Sequence, residues 1–132
     1  ADKAAVIIAD PEQLKRVINN IISNSVKYMS TDRKGIINIR ISDADDFVQF
    51  EIEDNGKGIA QKDVQYIFDR FYRTDSSRNS AQGGSGIGLS IVKKIISDHG
   101  GQIWATSKEG TGTVMHFVLR KYKNQESGES NE

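Results

Sequence analysis

The sequence predicts an α+β fold: a two-layer α/β sandwich with helices on one face of a mixed, largely antiparallel sheet. Two helical stripes and three alternating segments predict it. Leu14, Val17, Ile18, Ile21 and Ile22 fall at offsets 0, 3, 4, 7 and 8 along one helical face. Leu89, Val92, Ile95 and Ile96 form a second such stripe. Between and after them, apolar residues recur at every second position: Ile37, Ile39 and Ile41; Val48, Phe50 and Ile52; Met115, Phe117 and Leu119.

Taken in order, Ala1–Ala9, with Val6, Ile7 and Ile8, reads as a short strand. Asp10-Pro11 is a helix start, an acceptor cap followed by a residue that suits the first turn. The spacing predicts a helix from Pro11 to about Tyr28, then a loop through Gly35. Ile36–Ser42 and Phe47–Asp54 are expected as a hairpin linked through Asp43–Asp46, and Ala60–Phe68 as a short helix. Tyr72 to Gly86 has no periodicity, and a polar loop of that length inside a compact domain points to function. A second helix is expected from about Gly88 to His99, and a second hairpin from Ile103–Ser107 and Thr113–Arg120. Residues 1–120 are expected to form one domain and 121–132 a disordered polar tail.

Composition narrows the function. Among 132 residues there is no cysteine, so disulfides, thiolate metal sites and cysteine nucleophiles are excluded. Lys+Arg 18 balances Asp+Glu 18, which argues against a bulk electrostatic grip on nucleic acid or on a membrane. No apolar run reaches the length of a span, and the chain is expected to be soluble and cytoplasmic.

Four clusters carry candidate chemistry. Asn20, Asn24 and Lys27 share a narrow sector of the first helix, beside its apolar stripe. An asparagine there can offer an amide oxygen to Mg²⁺, and a lysine can meet phosphate as a point charge; the alternative is an ordinary solvated face. In Asp54-Asn55-Gly56-Lys57-Gly58, Asp54 continues the apolar face of its strand and needs donors, either an adenine amine or a loop amide. The alternative there is a plain Asx turn. Gly83-Gly84-Ser85-Gly86-Ile87-Gly88 opens the second helix and forms a phosphate cradle or, failing that, a hinge. It lacks the Gly-Lys-Ser/Thr ending of a P-loop. Finally, Phe68-Asp69-Arg70-Phe71-Tyr72-Arg73 sets Arg70 and Arg73 either to neutralise phosphate or to sit as surface charges beside core aromatics.

In order and wording these motifs resemble the catalytic ATP-binding domain of sensor histidine kinases, over about Val6 to Leu119. Its superfamily includes gyrase, Hsp90 and MutL and has a left-handed βαβ ATP-binding fold. The resemblance implies ATP and Mg²⁺ as ligands. Asn20–Tyr28 is similar to the N box, so that Asn24 would bind Mg²⁺, Asn20 and Lys27 would contact phosphates, and Tyr28 would pack near adenine. Asp54–Gly58 is similar to the first glycine box, which implies Asp54 on the adenine amine, with Gly56, Gly58 and the following Ile59 lining the site. Phe68–Phe71 is similar to the F box, with Arg70, Arg73 and Lys27 as the residues that would assist transfer and Arg78 as a weaker candidate. Gly84, Ser85, Gly86, Ile87, Gly88 and Leu89 are similar to the second glycine box at the end of an ATP lid. Gly110-Thr111-Gly112-Thr113 matches the later glycine turn, which implies Thr113 near the base.

Hydrolysing members of the superfamily carry a glutamate four residues before the Mg²⁺ asparagine. Here that residue is Asn20, whose amide cannot act as a general base. A family kinase phosphorylates a histidine in a separate dimerisation domain. His99, at a helix end, and His116, within a strand, fit neither that place nor that role and are expected to be structural. The resemblance therefore implies a domain of a longer, membrane-anchored bacterial kinase. Its partners would be its own dimerisation and phosphoacceptor domain and a response-regulator receiver domain, with a homodimer only in the full-length protein. Two other readings stay open: an ATPase clamp, and a nucleotide sensor or serine-directed kinase.

Overall fold

The computed structural model describes residues 6–69 and 88–122. Asp10 caps the first helix, α1 (Pro11–Lys27): its Oδ1 accepts from the Glu12 N–H at 2.9 Å, and Pro11 takes the first turn. A tight hairpin follows, β1 (Ile37–Ala44) and β2 (Phe47–Asp54), with Asp45 in the left-handed region at φ 60 in the turn. The expected short helix is a single turn, α2 (Gln61–Val64), continued by turns to Asp69. Then come α3 (Gly88–Asp98), β3 (Gln102–Lys108) and β4 (Gly112–Arg120).

The four strands form one sheet in the order β1-β2-β4-β3, antiparallel at every pairing. The expected mixed character has no parallel pair among the described residues. Of the opening segment, Ile7 makes only an isolated antiparallel bridge to Lys121, flanked by bonds from Ile8 N to Arg120 O and from Tyr122 N to Val6 O. Asp10 turns the chain into α1 so soon after Ile7 that a full strand has no room.

Register explains the layers. Val48, Phe50 and Ile52 point with Met115, Phe117 and Leu119 to one face, and the buried Val17, Ile21, Val92, Ile95 and Ile96 of α1 and α3 cover it. Phe50 and Phe117 stack at 4.7 Å between centroids. β1 is an edge strand beyond the helix layer, so Ile39 and Ile41 share that face yet stay about half exposed.

The opposite face carries a polar ladder. Arg40 donates to Glu51 at 3.0 Å and to Glu53 at 2.7 Å, and His116 lies between Glu51 (Nδ1, 3.2 Å) and Thr106 (Nε2, 2.9 Å), stacked on Trp104. His99 has a different task. Its Nδ1–H donates to Ile95 O (2.8 Å) and its Nε2 accepts from Asp10 N (3.1 Å), tying the end of α3 to the start of α1.

Truncating Ile21 to Ala should lower unfolding free energy by about 2–5 kcal/mol with an unchanged denaturant slope, read by urea titration. The Arg40 hydrogen bond, helped by the charges of His116 and Arg40 itself, holds the Glu51 carboxyl below its ordinary value. A lowered folded-state pKa stabilises above the unfolded value, and that stabilisation is lost as pH falls through the folded one. Arg40→Met should therefore move the Glu51 titration, followed by NMR, up towards the ordinary carboxylate range; an unmoved titration would contradict the pairing.

Candidate functional site

The site forms where the C-terminal half of α1 meets the ends of β2 and β4. Asn20, Asn24, Lys27 and Tyr28 are all half-buried on or just after the helix. The Lys27 ammonium lies 5.4 Å from the centre of the Tyr28 ring. A backbone bond joins the end of α1 to the turn after β2 here: Lys57 N–H donates to the Tyr28 carbonyl at 3.0 Å. It fixes the distance between the polar side of α1 and the glycine turn after β2.

At the end of β2, Asp54 pairs with Thr113. Its Oδ1 accepts from Gly56 N at 2.9 Å and, at a longer 3.3 Å, from Thr113 N. Of the two kinds of donor its sequence context called for, backbone amides therefore supply Oδ1, one from the following loop and one from β4. Both bonds converge on that one atom, and neither uses Oδ2.

Two glycines let the turns approach. A Cβ on Gly58, at φ +77, would stand 2.2 Å from Lys108 O, and one on Gly112, at φ +146, 2.0 Å from Asp54 O. No side chain fits at either place. Gly110 N donates to Lys57 O at 2.7 Å, closing the two turns together.

Ser107 organises the remainder. Its single hydroxyl proton goes to Gly112 O at 2.9 Å. The 2.8 Å contact with Thr113 is thus donated by the threonine, and Ser107 Oγ also accepts from Ile59 N at 2.7 Å. Thr113 is buried, with its hydroxyl fixed. Sequence reasoning missed Ser107 and Arg33, and named Asn55 within the Asp54–Gly58 motif without giving its side chain a role. Strand alternation alone would have put Ser107 beside Thr113, whereas nothing in the sequence marks the reach of Arg33.

Asn20, Asn24, Lys27, Tyr28, Asp54, Gly56, Gly58, Ile59 and Thr113 thus lie on three segments joined by direct backbone bonds. Gly88 is exposed at the start of α3, and Leu89 packs against the core. Arg70, Arg73, Arg78, Gly84, Ser85, Gly86 and Ile87 lie outside the described residues. A hollow of about 470 Å³ touches Asp54 and Thr113 but opens on the polar sheet face, with Asn38, Glu53 and Lys108 in its walls and no residue of α1. It is not the space beside Asn24.

Among the described residues no cluster of three His, Cys, Asp or Glu side chains could hold a metal by itself. An amide-oxygen site at Asn24 still fits Mg²⁺, which takes one or two protein ligands and fills its shell with water and phosphate oxygens. No described helix is long and apolar enough to cross a membrane.

One antiparallel sheet, a helix layer and paired glycine turns, in a sequence without a P-loop, define an ATPase-type α+β domain. The chain belongs to the family of histidine kinase-, DNA gyrase B- and HSP90-like ATPases, whose profile matches residues 9–123. It is 38% identical over 125 residues to the sensor histidine kinase WalK of Bacillus subtilis, covering 95% of this chain and 20% of that protein. The chain thus spans about a fifth of that relative's length. Among solved structures, a mycobacterial sensor histidine kinase, MprB, matches with a TM-score of 0.76 at 30% identity, covering 89% of this chain and 78% of the other. The catalytic domain of the histidine kinase ThkA matches at 0.71 and 33%, covering 87% and 70%.

Substituting Gly58 with Ala should destabilise the domain by roughly 2–4 kcal/mol, through a left-handed backbone and a clash with backbone that cannot yield. Gly88→Ala, where an added Cβ meets nothing within 4 Å, should stay within about 1 kcal/mol of the parent. Thermal melts of the two variants check the contrast.

Proposed function

We propose that this domain holds Mg–ATP and donates its γ-phosphoryl group to a histidine on a separate dimerisation domain, in the manner of a two-component sensor histidine kinase. The full kinase then passes the group to an aspartate of a response regulator. The parent is proposed to be membrane-anchored, with this domain on the cytoplasmic side.

The observation that carries the reading is the fixed separation of two chemically different ends. The Tyr28–Lys57 bond holds the Asn20–Asn24–Lys27 side of α1 against the Asp54–Thr113 corner. One end suits phosphate and a divalent ion, and the other suits an aromatic amine. In this pose Oδ2 of Asp54 accepts from the exocyclic amine of adenine, with Thr113 beside the base and Gly56, Gly58 and Ile59 along its edge. Lys27 and Asn20 meet the phosphates. Asn24 would hold Mg²⁺, which supplies charge neutralisation on phosphate oxygens when bound.

Transfer breaks the bond from the γ-phosphorus to its bridging oxygen as an imidazole nitrogen attacks in line, and ADP leaves. Positioning and charge neutralisation do most of the work in such reactions. Arg70 and Arg73 are the residues proposed to neutralise the transferring group, with Tyr72–Gly86 proposed as the lid that closes over the phosphates. Asn20 stands where hydrolysing relatives need a base, so water is not activated and ATP persists until the histidine arrives.

Calorimetry tests the reading. Asp54→Asn, which replaces one acceptor oxygen by a donor NH₂, should weaken ATP binding about tenfold or more. Unchanged affinity would remove Asp54 from the base. Mixing the domain with a helical phosphoacceptor domain and labelled ATP should give acid-labile phosphohistidine. Acid-stable label would indicate serine chemistry instead, and rapid phosphate release from the domain alone would indicate an ATPase clamp.

A further inference from the structure

Arg33 lies in the loop between α1 and β1, outside every motif. It nevertheless spans the site: its Nη2 donates one hydrogen to the Gly56 carbonyl at 2.8 Å and the other to the Gly110 carbonyl at 2.9 Å. Those partners are 23 and 77 residues away in sequence. We infer that Arg33 is a positioning residue of the base-binding corner, pinning both glycine turns so that Asp54 and Thr113 present a single geometry. The inference rests on the reading of that corner as the adenine end of the site.

Peptide by peptide, the pinning is specific. The 56–57 peptide is held at both ends, its oxygen by Arg33 and its N–H by the Tyr28 carbonyl at 3.0 Å. The 55–56 peptide gives its N–H to Asp54 Oδ1 at 2.9 Å. In the other turn, the 110–111 peptide is held by Arg33 at oxygen and by Lys108 O at nitrogen, at 2.9 Å. The Arg33 loop is itself anchored by Asn55, whose Nδ2 donates to Lys34 O and whose Oδ1 accepts from Ile36 N, both at 2.8 Å. Asp32 adds a charge 3.7 Å from Arg33 Nε and is in turn hydrogen-bonded by the Ser30 hydroxyl.

Neither of the Arg33 bonds reaches α1. Removing the guanidinium therefore loosens the base end and leaves Asn20, Asn24 and Lys27 on their helix. A base-recognition defect is expected, not a uniform loss.

Calorimetry on the 132-residue chain with Mg–ATP and with Mg–GTP reads this out, beside the thermal melt of the ligand-free protein. Arg33→Met should weaken ATP binding about three- to tenfold and narrow the preference for ATP over GTP by a similar factor. Arg33→Lys, with the charge but not the planar fork, should fall between the two. If Arg33→Met fails to fold, the lysine variant carries the test through the same ratio. An unchanged ATP affinity overturns the inference, as does a loss equal for ATP and GTP, which would be the mark of mere destabilisation. A folded parent that binds no ATP would instead overturn the site reading beneath it.

Discussion

Two glycine turns at the end of the sheet approach so closely that neither could carry a side chain at the contact, and one carboxylate oxygen sits between them. Asp54 Oδ1 takes the Gly56 and Thr113 amides, Gly58 lies against the Lys108 carbonyl, and Gly112 lies against Asp54's own carbonyl. From this knot the rest of the site takes its dimensions. Lys57 hands the position on to α1 through the Tyr28 carbonyl, Ser107 fixes the Thr113 hydroxyl, and the core behind Ile52 and Met115 gives the knot a rigid wall. An Asp54 carboxylate committed at one oxygen is also oriented at the other, which is what the proposed recognition of an amine requires.

Division of labour follows from the same geometry. The corner proposed to take the base is made of backbone turns, whose position depends on hydrogen bonds between residues far apart in sequence. The side proposed to take the phosphates is made of side chains one turn apart on a helix, whose relation is fixed by helix geometry alone. On the proposed reading, damage to the two ends has different signatures: altered choice of base in one case, altered metal and phosphate dependence in the other. Asn20 is proposed to set the chemical limit, since an amide cannot serve as the base that activates water.

Much of the fold could be read from the sequence because its elements have clean periods. The stripe from Leu14 to Ile22 gave α1 within a residue at its C-terminal end, and the alternation in Phe47–Asp54 matched β2 at both ends. The opening segment was less legible. Val6–Ile8 has strand-like composition, but whether it forms a strand depends on a partner at Lys121 and on the helix cap two residues beyond it. For the site, periodicity placed Asp54 on the inward face and grouped Asn20, Asn24 and Lys27. The family resemblance, not periodicity, supplied their proposed roles. Arg33, and the anchoring role of Asn55 inside its motif, were invisible in this sense: both act through contacts between distant loops, and nothing local in a sequence encodes them. Arg70, Arg73 and Gly84–Ile87 lie outside the described residues.

The most direct test is an amide-resolved NMR titration of the isotopically labelled chain with Mg²⁺ and a non-hydrolysable ATP analogue. If one nucleotide bridges the two ends, the amides of Gly56, Gly112 and Thr113 and the side-chain amide of Asn24 should shift along a single binding curve, with one midpoint. Shifts at Asn24 that leave Gly56 and Thr113 unmoved, or two separate midpoints, would contradict a site that spans from α1 to the glycine knot.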